Sequence, residues 1–229
     1  MEINWESQVL SSVSKVIPKL SCLEIDIDKL HEVAAELSED SFSINYEGNT
    51  NTVPKEYIRK TMLINTLNFV FTDFLTSVKY KIENYSDTDA MVYQIDKALD
   101  QGIPLTQGRF MRDMNLKEFK TLFTGNIVMP MADEKVKILN NVGDILVTKY
   151  GGDWINFIDD GPKKLYDNGK GLVERLVRDF KRFDDHSIFE NEKVYFLKLA
   201  QLAFWGIHRE LSKRYFYICL LYTSPSPRD

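Results

Sequence analysis

Apolar positions recur at helical spacing through most of this chain. Trp5, Val9, Val13, Val16, Ile17 and Leu20 share one helix face, and Pro18 marks its end. Residues 28–37 predict a second short helix with Leu30, Val33, Ala34 and Leu37 turned inward. Residues 38–51 are polar and rich in Gly, Asn and Ser, which reads as a loop. Pro54 then stands where a helix starts, and Tyr57, Ile58, Thr61, Met62, Asn65, Asn68, Phe69, Thr72 and Leu75 line one side of it. Val78, Tyr80 and Ile82 alternate with Lys79, Lys81 and Glu83, the pattern of one short strand. A helix over 90–101 is closed by Gly102, and Ile103-Pro104 forbids its continuation. Residues 115–123 open with Asn115 and Glu118 at capping-box spacing. Val136, Leu139, Val142 and Leu146 define another helix, stopped by Gly151-Gly152. After a polar loop over 161–171, residues 172–180 are helical again. About seven or eight helices and very little strand place the chain in the mostly α class.

The densest apolar stretch comes late. From Val194 to Ile207 nearly every residue is apolar or aromatic, with Lys198 and Gln201 the polar exceptions. A helix with no polar half is expected to be buried. It is too short, and too interrupted by Lys198, to span a membrane. Ahead of it, Ile188-Phe189-Glu190 and Lys193-Val194-Tyr195 flank Asn191-Glu192, the pattern of a small hairpin. A polar pair on a buried helix must be hydrogen-bonded or used, since leaving it unpaired costs a few kcal/mol. This marks Lys198 and Gln201 as site candidates, and Asn65 with Asn68 on the earlier stripe form a second polar signal.

Composition narrows the picture further. At 229 residues the chain can bury a substantial core, and residues 1–218 read as one helical domain. A formal charge of −5 and a pI near 5.4 argue against a broad nucleic-acid-binding face, though not against a small basic pocket for one phosphate. The first residues carry neither a basic n-region nor an apolar h-region, so no secretory signal is read there. Two cysteines, Cys22 and Cys219, fit a reducing compartment, and the expected location is cytoplasmic. Residues 219–229, CLLYTSPSPRD, match the translation of a common transposase-tagging sequencing adapter, so this segment is expected to be a non-native tail exposed to solvent, on a fragment whose natural sequence continues past Ile218. The chain has no Gly-rich phosphate loop and no Ser elbow, and its three histidines have no metal-site spacing, so no metal site is expected.

Five short segments carry a more specific signal: TLNFVF (Thr66–Phe71), ALDQGIPLT (Ala98–Thr106), MPMADEKVKILNNVG (Met129–Gly143), KYGG (Lys149–Gly152) and IFENEKVYFLKLAQ (Ile188–Gln201). In that order and at those intervals the chain, from about Thr61 to Leu211, resembles the queuosine salvage proteins, which are queuosine 5′-phosphate N-glycosylases. The resemblance implies a mostly helical fold similar to that of DNA glycosylases. It also implies hydrolysis of the glycosidic bond of queuosine 5′-phosphate, releasing queuine for reuse in tRNA modification. The implied partner is a small nucleotide, with no direct nucleic-acid or membrane binding. The base is a 7-deazapurine and has no N7 to protonate, so an oxocarbenium-like transition state calls for a nearby carboxylate and needs no cofactor.

On this resemblance Asp185 is the candidate catalytic carboxylate; the other reading is a loop Asp that caps the next element. Asn68 and Phe69 fall in the Leu-Asn-Phe motif, as an amide for base edges and a ring for stacking, or else as an interhelical Asn and a core Phe. Lys198 is assigned to the phosphate end, unless its stem snorkels to water. Gln201 either bonds a substrate hydroxyl or is a satisfied core glutamine, and Asn65 completes the binding set. Four positions depart from the family pattern. The family has Asp at Asn65, Trp at Thr72, Arg at Leu199 and Asp at Gly206. An Asn cannot act as a general base, so a catalytically inactive or diverged nucleotide-binding module on the same scaffold is the alternative.

Overall fold

Capping and turn chemistry set the limits of most helices in the computed structural model, which describes residues 5–21, 24, 26–36 and 54–214. Within those residues ten α-helices are interrupted by two small hairpins. The first helices are α1 (Trp5–Val16), continued by a 3-10 turn at Ile17–Lys19, then α2 (Ile27–Glu36) and α3 (Pro54–Leu67). A first hairpin, β1 (Lys81–Ile82) and β2 (Tyr85–Ser86), leads into α4 (Asp87–Asp100), α5 (Gly108–Asp113) and α6 (Leu116–Leu122). Next come α7 (Ala132–Tyr150), α8 (Trp154–Asp159) and α9 (Leu172–Asp179). The second hairpin, β3 (His186–Phe189) and β4 (Glu192–Tyr195), precedes α10 (Lys198–Arg214). No described helix is long and apolar enough to cross a membrane.

Helix α7 is the spine. Its buried positions, Ala132, Lys135, Val136, Leu139, Val142, Gly143 and Leu146, follow the i, i+3, i+4, i+7 stripe. Helix α5 presses against it so closely that a Cβ on Gly143 would meet the backbone of Arg112 and lie 2.5 Å from the Gly108 carbonyl. Asn140 fastens the contact by donating through Nδ2 to the carbonyls of Met111, Arg112 and Met114 at 2.8–2.9 Å. Gly151, at φ +60, ends α7 in the left-handed conformation that glycine adopts without strain. Beyond it Trp154, Phe157, Phe180 and Phe183 pack edge-on and tilted into a fully buried aromatic core. The capping box at Asn115 and Glu118 is present, each side chain bonding the other's backbone N–H at 3.0 Å.

Four expectations need correction. Helix α3 stops at Leu67, so Asn68, Phe69, Thr72 and Leu75 leave the helical stripe; Val70 turns to φ +46 and Leu75 is 96% exposed. Thr72 instead bridges Lys79, and the Asp73 carboxylate accepts from the Leu75 and Thr76 amides to close a tight turn. Helix α2 carries its apolar stripe but buries none of it, with Leu30 and Val33 exposed; Leu37 and residues 38–51 lie outside the described residues, as does the 219–229 tail. Val194 and Tyr195 belong to β4, with the hairpin turn at Glu190-Asn191, and α10 begins at Lys198. Nor is α10 buried on most sides. Ala200, Ala203, Phe204 and Ile207 pack inward against α3 and α9, while Lys198, Gln201, Leu202 and Trp205 are exposed.

Candidate functional site

The corner where α3 ends and α10 begins gathers three of the five sequence segments. Helix α3 leaves its last carbonyls unbonded, as every helix does. One of them, on Thr66, accepts from Arg182 Nε at 2.8 Å. The chain then bends, and the ammonium of Lys135, in the first turns of α7, donates to the carbonyls of Phe69 (2.6 Å), Val70 (3.0 Å) and Pro130 (2.8 Å). Those bonds hold Val70 in a left-handed conformation that costs a β-branched residue about 1–3 kcal/mol. The bend, and the end of α3, follow from this tie.

Phe69 meets both cations through its ring. Lys135 Nζ sits 4.2 Å and Arg182 Cζ 4.7 Å from its ring centre, within cation–π range. Lys135 is fully buried, and desolvation together with the charge of Arg182 lowers its pKa to about 7. Three carbonyl acceptors oppose that shift, because a neutral amine has only two N–H donors. Burial also lowers the Arg182 pKa, and the Asp185 carboxylate acts against the shift.

Asp185 joins this corner to α10. Its carbonyl accepts from the Phe196 amide at 3.0 Å, and its Oδ2 accepts from the Leu199 amide at 3.2 Å, capping the helix. The other carboxylate oxygen, Oδ1, is buried with no hydrogen-bond partner among the described residues. The capping reading therefore describes one oxygen, and the other takes no part in the cap.

The remaining predicted residues are more dispersed. Asn68 is exposed and accepts through Oδ1 from the Thr88 hydroxyl at 2.9 Å, which ties it to the start of α4. Asn65 is half-buried and donates back to the Thr61 carbonyl at 2.9 Å. Gln201 donates to the Tyr166 hydroxyl at 2.8 Å on the exposed side of α10. Lys198 is exposed and makes no hydrogen bond or ion pair among the described residues. A cleft of about 910 Å³ opens elsewhere, between α3, α4 and the turn after α7, and none of the predicted site residues lines it. Its principal charges are already paired, Arg59 with Asp153 and Lys60 with Asp96.

Lys135 and Arg182 were not among the predicted site residues. Lys135 had a signal, a lysine in step with the apolar stripe of Ala132, Val136 and Leu139. Arg182 had none, because it sits in a 3-10 turn outside any periodic segment.

Residues 45–215 match the family model described as queuosine salvage protein. Three curated relatives carry the name queuosine 5′-phosphate N-glycosylase/hydrolase. The chain is 30% identical over 146 residues to the one from Mus musculus, covering 61% of this chain and 42% of the relative. To the one from Bos taurus it is 26% identical over 173 residues, 73% and 50% of the two chains. To the one from Sphaerobacter thermophilus it is 23% identical over 198 residues, 85% and 60%. The chain thus spans about half the length of the curated relatives it matches.

Proposed function

The chain belongs to the queuosine salvage protein family, and on that footing we propose that it takes part in hydrolysing the N-glycosidic bond of queuosine 5′-phosphate. Water replaces the base at the anomeric carbon, giving queuine and ribose 5-phosphate. The observation that carries this reading is the meeting of the Leu-Asn-Phe segment, the Lys135 segment and the start of α10 around Arg182 and Asp185. Asp185 offers a buried, unpaired oxygen where an oxocarbenium-like transition state needs a negative charge or an activated water. Phe69 supplies a partly exposed ring for the flat deazapurine, with Asn68 and Asn65 as amides near it. Lys198 and Gln201 stand on the exposed side of α10, suited to the phosphate and hydroxyls of a nucleotide. The substrate is a free nucleotide, and the site operates in the cytoplasm.

One observation favours the second reading, an inactive nucleotide-binding module. Asn65 stands where the resemblance calls for a carboxylate, and its amide is tied to the Thr61 carbonyl. Incubation with queuosine 5′-phosphate, followed by mass-spectrometric detection of queuine, separates the two. Release is expected, and Asp185→Asn, which can still accept from the Leu199 amide, is expected to slow it by about a hundredfold or more. Tight binding without release would establish the second reading, and neither binding nor release would end both.

A further inference from the structure

The two cations beside Phe69 are unequally satisfied. Lys135 has three N–H donors and all three meet carbonyls. Arg182 has five, and only Nε–H is taken, by the Thr66 carbonyl. Its Nη1 and Nη2 groups donate to no acceptor among the described residues, although the side chain is half-buried and stacked on Phe69. Charge is unbalanced here too. Asp185 is the carboxylate whose field reaches Arg182, and none acts on Lys135. One oxygen of Asp185 is already held by the Leu199 amide.

A half-buried guanidinium whose fork has an open, unpaired edge is matched by an oxyanion that accepts two parallel N–H bonds. Its Nε bond to Thr66 and its stacking on Phe69 fix the fork in advance, so little rotamer freedom is lost on binding. We infer that Arg182 is an anion-binding residue and, resting on the glycosylase reading above, that the anion is the 5′-phosphate of the nucleotide. Asp185 then lies on the sugar side of the guanidinium, where its negative charge faces the cationic transition state. Lys135 is the positioning residue that holds Phe69 and its carbonyl against this pair.

The test is calorimetric titration of wild type and Arg182→Gln with queuosine 5′-phosphate, unphosphorylated queuosine and ribose 5-phosphate. Glutamine can still donate to the Thr66 carbonyl but carries no charge. The variant is expected to bind both phosphate ligands about ten- to a hundredfold more weakly and queuosine within about twofold of wild type. An equal loss on all three ligands, no loss on any, or a wild type that does not bind ribose 5-phosphate overturns the inference. If ribose 5-phosphate binding depends on Arg182 while no queuine is ever released, the anion site stands and the glycosylase reading fails. If queuine is released and Arg182→Gln binds every ligand like wild type, the reverse holds. Should Arg182→Gln lose its cooperative thermal transition, Arg182→Lys decides, since it keeps the charge without the fork. A dissociation constant raised about three- to tenfold for the phosphate ligands alone supports the assignment, and an equal rise for queuosine overturns it.

Discussion

Lys135 shows how one buried side chain can set the shape of a whole corner of the fold. It is fully buried, and it holds the carbonyls of Phe69, Val70 and Pro130. Replacing it with Met leaves three carbonyls without a donor, a loss of about 2–4 kcal/mol in chemical unfolding at neutral pH. The pH dependence has a definite sign. An unfolded lysine keeps its proton up to about 10.5, whereas this one, desolvated and beside Arg182, loses it near 7. Between those values the unfolded chain binds a proton that the folded chain does not, so this group's contribution to stability rises with pH across the window. The gap between wild type and Lys135→Met should therefore widen from about pH 7 to about pH 10. A gap that stays constant over that range would mean that the three carbonyls hold the proton as firmly as burial removes it. At this scale the sequence pointed to part of the candidate site. Phe69 and Asp185 announced themselves through their motifs. Arg182 did not, because its place there is set by a carbonyl on Thr66 and a ring at Phe69, far away in the chain.

The helices were legible where a local signal fixes each end. Asn115 with Glu118, Gly102 and Gly151 each act through bonds or backbone angles within a few residues, and each stands where the pattern put it. Asn115→Ala should cost about 1 kcal/mol, read as a lower denaturant midpoint with the slope unchanged. The end of α3 was not legible. It is fixed by Lys135, more than sixty residues later, so the apolar stripe read past Leu67 as though the helix continued. The apolar run of α10 failed as a burial signal for a related reason, since burial depends on how many neighbours a helix finds, and α3 and α9 cover one face. Close packing between elements gives a sharper test. Gly143→Ala would drive a methyl into the backbone of α5 at Arg112 and Gly108, where no flexible side chain can yield. The expected cost is about 1–3 kcal/mol in thermal or chemical unfolding, and a cost below about 0.5 kcal/mol would show that α5 can move away from α7.

Across the whole molecule the helices are also tied by a few partly buried carboxylates, and these make the fold sensitive to acid. Arg59 grips Asp153 with two bonds at 2.9 and 2.6 Å, joining α3 to the cap of α8, and this holds the Asp153 pKa below the ordinary value. Asp179 at the end of α9, its side chain 8% exposed, accepts from Tyr150, from Lys149 at 3.2 Å and from Arg178 at 3.1 Å. Burial alone would raise its pKa, but these three donors outweigh that and lower it. A carboxylate with a depressed folded pKa contributes fully above its unfolded value, near 3.8 here, and loses that contribution as pH falls through the folded value. Asp179→Asn keeps the shape and removes the charge, so it should destabilise the protein by about 1–2 kcal/mol at pH 7. Urea midpoints at about pH 7, 4 and 2.5 should then converge, because the wild-type carboxyl becomes neutral as well. A gap that stays constant over that range would assign the loss to altered packing between α7 and α9. Convergence would show that one charge, shared by Tyr150, Lys149 and Arg178, helps hold the spine helix to the elements that carry Arg182 and Asp185.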